Sequence, residues 1–157
     1  MDQENFKKIK NAARINYEMV GRIYCPALKS DIRFNSDGFH HLCYDGHRSQ
    51  RDKQVQQNKF RFLSDAVCVL KKATTIQEYR RFLCQVGECD KNGFYKTKII
   101  EWFGFYAIIS FSKAIRINVV VRRIGEDSGN FCFWSVMPYW SVNNKKRIIG
   151  SKKMEDE

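Results

Sequence analysis

The sequence is short of acidic residues, has no long apolar run and contains no paired cysteine motif. Only 17 aspartates and glutamates face 28 lysines and arginines, which gives a formal net charge of +11. Such an excess indicates a polyanionic partner, above all nucleic acid or an acidic protein. No apolar segment reaches the length of about 18 residues that crosses a membrane, so no membrane partner is expected.

Export signals and metal motifs are also missing from the sequence. The N-terminal segment MDQENFKKIK lacks the apolar stretch of a signal peptide. The six cysteines, none of them in a C-x-x-C pair, are therefore predicted to be reduced thiols, several of them in the core. We expect a cytoplasmic protein, or one that a dedicated secretion system delivers into a target cytoplasm. No cofactor and no metal site are expected.

The spacing of apolar residues predicts mainly helices in the first half of the chain. Phe6, Ile9, Ala13 and Tyr17 recur at helical intervals. The predicted elements are a helix over 4–20, a hairpin of DIRF and FHHLCY around the turn NSDG, a helix from Ser49 to about Lys72, and a short helix over 75–83. Ser49 and Asp52 have the spacing of a capping box, which would begin the long helix.

The second half of the chain is rich in β-branched and aromatic residues. After a loop over 84–98, the predicted strands are IIEWFGFYAIISF (99–111), AIRINVVVRRIG (114–125) and NFCFWSVMPYW (130–140). Short turns at 112–113 and 126–129 would join them into an antiparallel β-meander. In its middle strand Ile117 and Val119 face one way, whereas Arg116 and Arg122 face the other.

Helices first and a meander last predict an α+β fold, with N-terminal helices packed on one face of a C-terminal antiparallel sheet. The other face would stay open. Residues 1–142 should form a single domain, and the charged segment 143–157 should form a flexible tail.

All three histidines lie within FHHLCYDGHRSQRDK, residues 39–53. On a strand, His40 and His41 would point to opposite faces, and His47 would follow the turn. The cations Arg48, Arg51 and Lys53 would surround a helix N-terminus, where backbone N–H groups favour an anion. Metal-free RNA cleavage needs these parts: a base for the 2′-OH, an acid for the leaving oxygen, and cations for the phosphorane.

Two other interpretations of this segment stay open. The histidines could be surface residues beside a solvated helix start. Alternatively, His40, His41, Cys43 and His47 supply zinc-ligand types. Zinc is the weaker alternative, because adjacent residues of one strand cannot reach the same ion and the usual ligand spacings are absent.

A second group of candidate site residues lies on the last predicted strand. Trp134 and Tyr139 could stack on unpaired bases. Ser135 could donate a hydrogen bond to a phosphate. As the alternative, at least two of Phe131, Phe133 and Trp134 would be core residues.

The order of these features resembles the barnase–EndoU–colicin–RelE superfamily of metal-independent ribonucleases, in particular its phage and bacterial toxin-like branch. The similarity is carried by GFHHLCYDGHR, NKFRFLSDAVCVL, EWFGFYAIISF, IRINVVVRRIG and FCFWSVMPYW, and covers residues 31–140. The resemblance implies helices followed by a four-stranded antiparallel sheet whose concave face cuts RNA. It also implies that His41 or His40 takes the early catalytic position and that Ser135 takes the late one. Arg48 and Arg51, with Arg116 and Arg122 behind them, would then hold phosphate.

We therefore expect a metal-independent endoribonuclease of toxin or effector type that acts on RNA. His41 is the first candidate for proton transfer, His40 the second, and His47 the possible partner acid. An acidic antitoxin or immunity protein is the expected partner. The alternative is a non-catalytic basic module or inhibitor that binds nucleic acid or an acidic protein.

Overall fold

The computed structural model describes residues 3–46, 48–109, 115–140 and 154, without the side chains of residues 139 and 140. The described helices are α1 (Gln3–Val20), α2 (Ser36–Cys43), α3 (Lys53–Arg61) and α4 (Leu63–Lys72). The described strands are β1 (Arg22–Cys25), β2 (Ser30–Arg33), β3 (Glu78–Val86), β4 (Lys96–Ile108), β5 (Ile115–Ile124) and β6 (Phe131–Trp140). The predicted α+β class, with its helices N-terminal to the meander, is confirmed.

The sheet has the strand order β1-β2-β6-β5-β4-β3 over the described residues. Strands β3 to β6 form the meander, and each pairs antiparallel with the next. The amino-terminal hairpin of β1 and β2 joins the sheet through a short parallel pairing, in which Ile32 lies opposite Phe131. Strand β6 therefore lies between the amino-terminal hairpin and the rest of the meander, and it joins them into one sheet.

The two faces of the sheet have different environments. Ile117, Val119 and Val121 of β5 belong to the main core, to which all four described helices contribute. Val120 points the opposite way, into a smaller cluster with Ile100, Trp102 and Met154. We call this second side the open face, because its described apolar cluster contains no residue of the four helices; Met154 of the carboxy-terminal segment packs on this face and is 1% exposed. Alternation along β5 also places Arg116 and Arg122 on the open face, as predicted.

The prediction of a strand over FHHLCY is wrong, since this segment lies in α2. Asn35 is the N-cap, and its side chain accepts a hydrogen bond from the Gly38 N–H at 3.1 Å. Gly38, His41 and Leu42 are buried at helical spacing. The residues NSDG therefore open a helix rather than close a hairpin.

Four other features of the secondary structure differ from the prediction. The segment expected to form a short helix and then a loop contains β3, an edge strand, so 75–83 is not helical. The helix start at Ser49 is also wrong, because Asp52 caps α3 by accepting from the Gln54 N–H at 2.7 Å. The predicted long helix is interrupted at Phe62, and β1 was not predicted. The turn at 112–113 and, apart from residue 154, the tail 143–157 lie outside the described residues.

Candidate nucleic-acid interface

The helical geometry of α2 separates the two adjacent histidines. His41 is 5% exposed, and its ring stacks on Trp134 with the centroids 4.1 Å apart. The exposed His40 stacks on Tyr44 at 4.3 Å and lines a different pocket, together with Lys10. The two imidazoles therefore cannot act as an acid and base pair at one phosphate.

Arg51 secures the C-terminal end of α2 rather than facing solvent. Its Nε donates to the backbone carbonyls of His41 at 3.1 Å and Tyr44 at 3.0 Å. Its Nη2 lies 3.3 Å from Nε2 of His41. Because a guanidinium only donates, Nε2 accepts in this contact and the imidazole proton resides on Nδ1. Arg51 thus fixes both the helix end and the tautomer of His41.

Trp134 joins His41 to the open face of the sheet. The register of β5 and β6 shifts at this position, so Trp134 is the extra residue of a β-bulge. The guanidinium carbon of Arg122 lies 3.3 Å from the centroid of its indole ring. Two groups stacked this closely cannot share one face of a ring, so His41 and Arg122 take opposite faces of the indole. The bulge thereby builds a layered His–Trp–Arg arrangement at one end of β6.

Lys59 of α3 is fully buried and ends at the same part of β6. Its Nζ donates to Oγ of Ser135 at 2.7 Å and approaches the carbonyl oxygen of Val136 at 3.4 Å. Ser135 is also fully buried. The predicted late serine is therefore held by an ammonium group from the helical layer rather than facing an open cleft.

We use the name cationic cluster for His41, Arg51, Lys59, Arg122, Trp134 and Ser135. Burial, together with the positive charges of Arg51, Lys59 and Arg122, lowers the pKa of His41 to about 2. Burial also lowers the pKa of Arg122 to about 10, an effect that Asp37 only partly offsets. Burial is the main cause of both shifts; at His41 the neighbouring positive charges add to it, and a bound anion would offset that part.

The phosphate site predicted at the start of the helix after His47 is not formed by the residues proposed for it. Asp52 already supplies a negative oxygen to the N-terminus of α3. Arg48 is exposed in a left-handed backbone conformation, with φ of 62°, and Lys53 is exposed near the ring of Phe6. His47 lies outside the described residues.

A second cation–aromatic pair occupies the open face. The guanidinium carbon of Arg116 lies 4.4 Å from the ring centroid of Tyr106. The face therefore presents arginine stacked on aromatic rings at two places along β5. Tyr139, which was predicted to stack on bases, lies on the neighbouring strand β6. Its side chain is outside the described part of the structure.

Lys59 is a site residue that was not predicted from the sequence. It lies in α3 with Gln56 three residues before it and Phe60 directly after it, and all three are buried. A lysine at a position of the apolar stripe is the signal that would have identified it, because lysine is almost never fully buried without a partner.

Comparisons with protein-family models, curated proteins and solved structures give no match for this chain. Among the described residues, no three His, Cys, Asp or Glu side chains converge as metal ligands. No helix in the described ranges is long and apolar enough to cross a membrane.

Proposed function

We propose that this protein binds RNA through the open face of its sheet, with the cationic cluster at one end of the binding surface. The observation that carries the proposal is the stacking of Arg122 on Trp134 beside buried Lys59 and Arg51. Guanidinium groups held against aromatic rings can contact phosphate, and the guanidinium face turned away from the ring can stack on a base.

The arrangement favours a nucleic acid over an acidic protein at this face. Arg116 and Arg122 lie six residues apart on one strand, which corresponds to about 20 Å at a rise of roughly 3.3 Å per residue. Each is stacked on its own aromatic ring. A linear polyanion with a regular phosphate spacing can contact both arginines, and its bases can stack on the guanidinium planes, which carboxylate side chains cannot do.

Metal-independent RNA cleavage is the second candidate, because an imidazole, an ammonium and a hydroxyl group converge around β6. In this reaction the 2′-oxygen attacks phosphorus and the bond to the 5′-oxygen breaks. His41 Nε2 would take the 2′ proton after Arg51 turns to the phosphate, and Lys59 would stabilise the phosphorane. The acid that protonates the leaving oxygen is the role predicted for His47.

The free energy needed to raise the pKa of His41 favours binding over cleavage as the function. Raising the pKa of His41 from about 2 to near neutrality requires about 6 kcal/mol, at roughly 1.4 kcal/mol per pKa unit. One phosphate charge at about 4 Å supplies about 4 kcal/mol at the effective dielectric constant of a protein surface. Phosphate binding thus accounts for only part of the change that general-base catalysis needs. An acidic antitoxin or immunity protein is proposed as a partner only together with cleavage.

One incubation tests both functions. Labelled single-stranded RNA is mixed with the pure protein, with and without chelator, and both anisotropy and product length are followed. Binding without cleavage supports the first candidate. Chelator-resistant products with 2′,3′-cyclic phosphate ends support the second, and no change in anisotropy at low salt contradicts both.

A further inference from the structure

Strand β3 lies at one end of the described sheet, far from the hairpin edge, and pairs with β4 alone. It is nine residues long and keeps one register with β4 throughout. Its sequence, EYRRFLCQV, contains no proline. Its outer side therefore presents a straight row of backbone N–H and C=O groups, which is the template for adding another strand.

Large apolar side chains are concentrated along this edge. Leu83 is 70% exposed and Phe94, in the loop that follows, is 72% exposed. Tyr79, Phe82 and Tyr95 are also exposed. Tyr79 and Leu83 lie on one face of the strand and Phe82 lies on the other. An added strand would therefore find apolar contacts on both faces.

Native proteins usually protect a long edge strand with prolines, bulges or a covering segment. Among the described residues, no proline, bulge or paired strand protects the outer edge of β3, which instead carries the charged side chains Glu78, Arg80 and Arg81. The arginines form ion pairs with Glu78 and Glu126, yet their side chains remain about half exposed. They are thus accessible to a further anion.

The chemistry of the occupant follows from the surrounding charge. The register places exposed Lys98 beside Cys84 and exposed Lys96 beside Val86, so cations lie next to the C-terminal end of the strand, while Arg80 and Arg81 lie near its N-terminal end. Two copies of a chain with a net charge of +11 would repel each other across this edge. A partner rich in carboxylates would instead be attracted.

We infer that the free edge of β3 is a docking site for an extended acidic segment of another protein, which joins the sheet as an additional antiparallel or parallel strand. Backbone hydrogen bonds supply the affinity, while Tyr79, Phe82 and Leu83 contact alternate side chains of the added strand. Arg80 and Arg81 select for acidic residues. This site borders the open face, because Phe82 packs against Trp102 there, but its affinity comes from the edge of β3 and does not depend on the proposed function.

The test uses the full chain, labelled with ¹⁵N, and a capped nine-residue peptide of alternating valine and glutamate. We expect amide shifts centred on residues 78–86. Replacing the glutamates with lysine should weaken binding about tenfold or more, the factor that about 1.4 kcal/mol represents. N-methylation of alternate peptide residues, which removes strand donors, should abolish binding.

Matched variants locate the contact. Leu83→Glu should weaken binding of the acidic peptide by about tenfold, whereas Met19→Glu, at an exposed apolar position of α1, should leave it unchanged. The double variant Arg80→Glu, Arg81→Glu should prefer the lysine peptide.

Three results would overturn the inference. The first is a set of shifts confined to β5 and β6, and the second is equal binding of the N-methylated peptide. The third is sedimentation showing that the protein alone dimerises through β3, which would make a second copy the occupant.

Discussion

Lys59 Nζ and Ser135 Oγ form a buried hydrogen bond of 2.7 Å between α3 and β6. Both side chains are fully buried, so the ammonium group depends on this hydroxyl and on the adjacent Val136 carbonyl for part of its solvation. A polar contact in such surroundings is strong when complete and costly when one partner is lost. It ties the helical layer to the last strand at the point where Trp134 also interrupts the regular register.

The Lys59–Ser135 contact should appear as a coupling energy. Removal of one partner leaves a buried polar group unsatisfied, at a cost of about 1–3 kcal/mol. Removal of both should cost less than the sum, with a coupling of about 0.5–3 kcal/mol. Urea unfolding of Lys59→Met, Ser135→Ala and the double variant measures it. The pair Lys59→Met and Ser64→Ala, with an exposed serine of α4, is the additive control. Additivity in both pairs would contradict the contact.

His41 should make the protein less stable in acid. Its pKa is about 2 in the folded protein, against about 6.5 when unfolded. Above pH 6.5 both states are neutral, so His41 has no effect. Below it only the unfolded state takes up the proton, so stability falls by about 1.4 kcal/mol per pH unit until the folded pKa is reached.

Denaturant unfolding at pH 7, 6 and 5 checks this expectation. Between pH 7 and 5, the free energy of unfolding should fall by about 2 kcal/mol less for His41→Gln than for the unmodified protein. His40→Gln should keep the full slope, because the ring of His40 lies on the exposed side of α2. Equal slopes for the two variants would show that His41 is protonated in the folded state.

Arg122 should contribute one phosphate contact to RNA binding. The logarithm of the affinity for single-stranded RNA falls with the logarithm of salt concentration, by about 0.7 per phosphate neutralised. Arg122→Gln should reduce that slope by about 0.7 and weaken binding at low salt. Arg14→Gln makes the same charge change on the exposed face of α1, in a side chain that pairs with Glu18. If the two variants have the same slope, the binding surface lies elsewhere.

Gly38 should be intolerant of a methyl group. A Cβ at this position would overlap both the carbonyl oxygen of Phe133 and the hydroxyl of Tyr17, so α2 would have to move away from β6. Gly38→Ala should cost about 1–3 kcal/mol or more. Gly46→Ala, where no atom lies within 4 Å of a built Cβ, should be close to neutral. Thermal unfolding of the two variants makes the comparison, and equal stabilities would contradict this packing.

The sequence predicted the helix–meander order and the orientation of Arg116 and Arg122 because these signals are periodic. Ile117, Val119 and Val121 recur at strand spacing in the main core, and Phe6, Ala13 and Tyr17 mark one face of α1. The edge strand β3 was missed for the opposite reason. Both of its faces are largely exposed, so it carries no alternation of polar and apolar residues.

The candidate site was only partly predictable. His41, Trp134, Ser135 and Arg122 do meet, but the reason is long-range: a bulge in β6 and the packing of α2 beside it. A turn was wrongly predicted at NSDG, because its residues favour turns and helix caps equally. The buried role of Lys59 depends on Ser135, which lies 76 residues away in the chain. No local pattern encodes such a partner.

The parallel pairing of β2 with β6 sets the order in which the protein can mature on the ribosome. Ile32 pairs beside Phe131, and Tyr17 packs against the ring of Phe133. The amino-terminal third of the chain is therefore synthesised long before its partners leave the exit tunnel. Until then Ile32 and Tyr17 lack these partners, and the apolar surface that β6 would cover stays exposed. Translation that stops before β6 should yield a product that proteases degrade quickly.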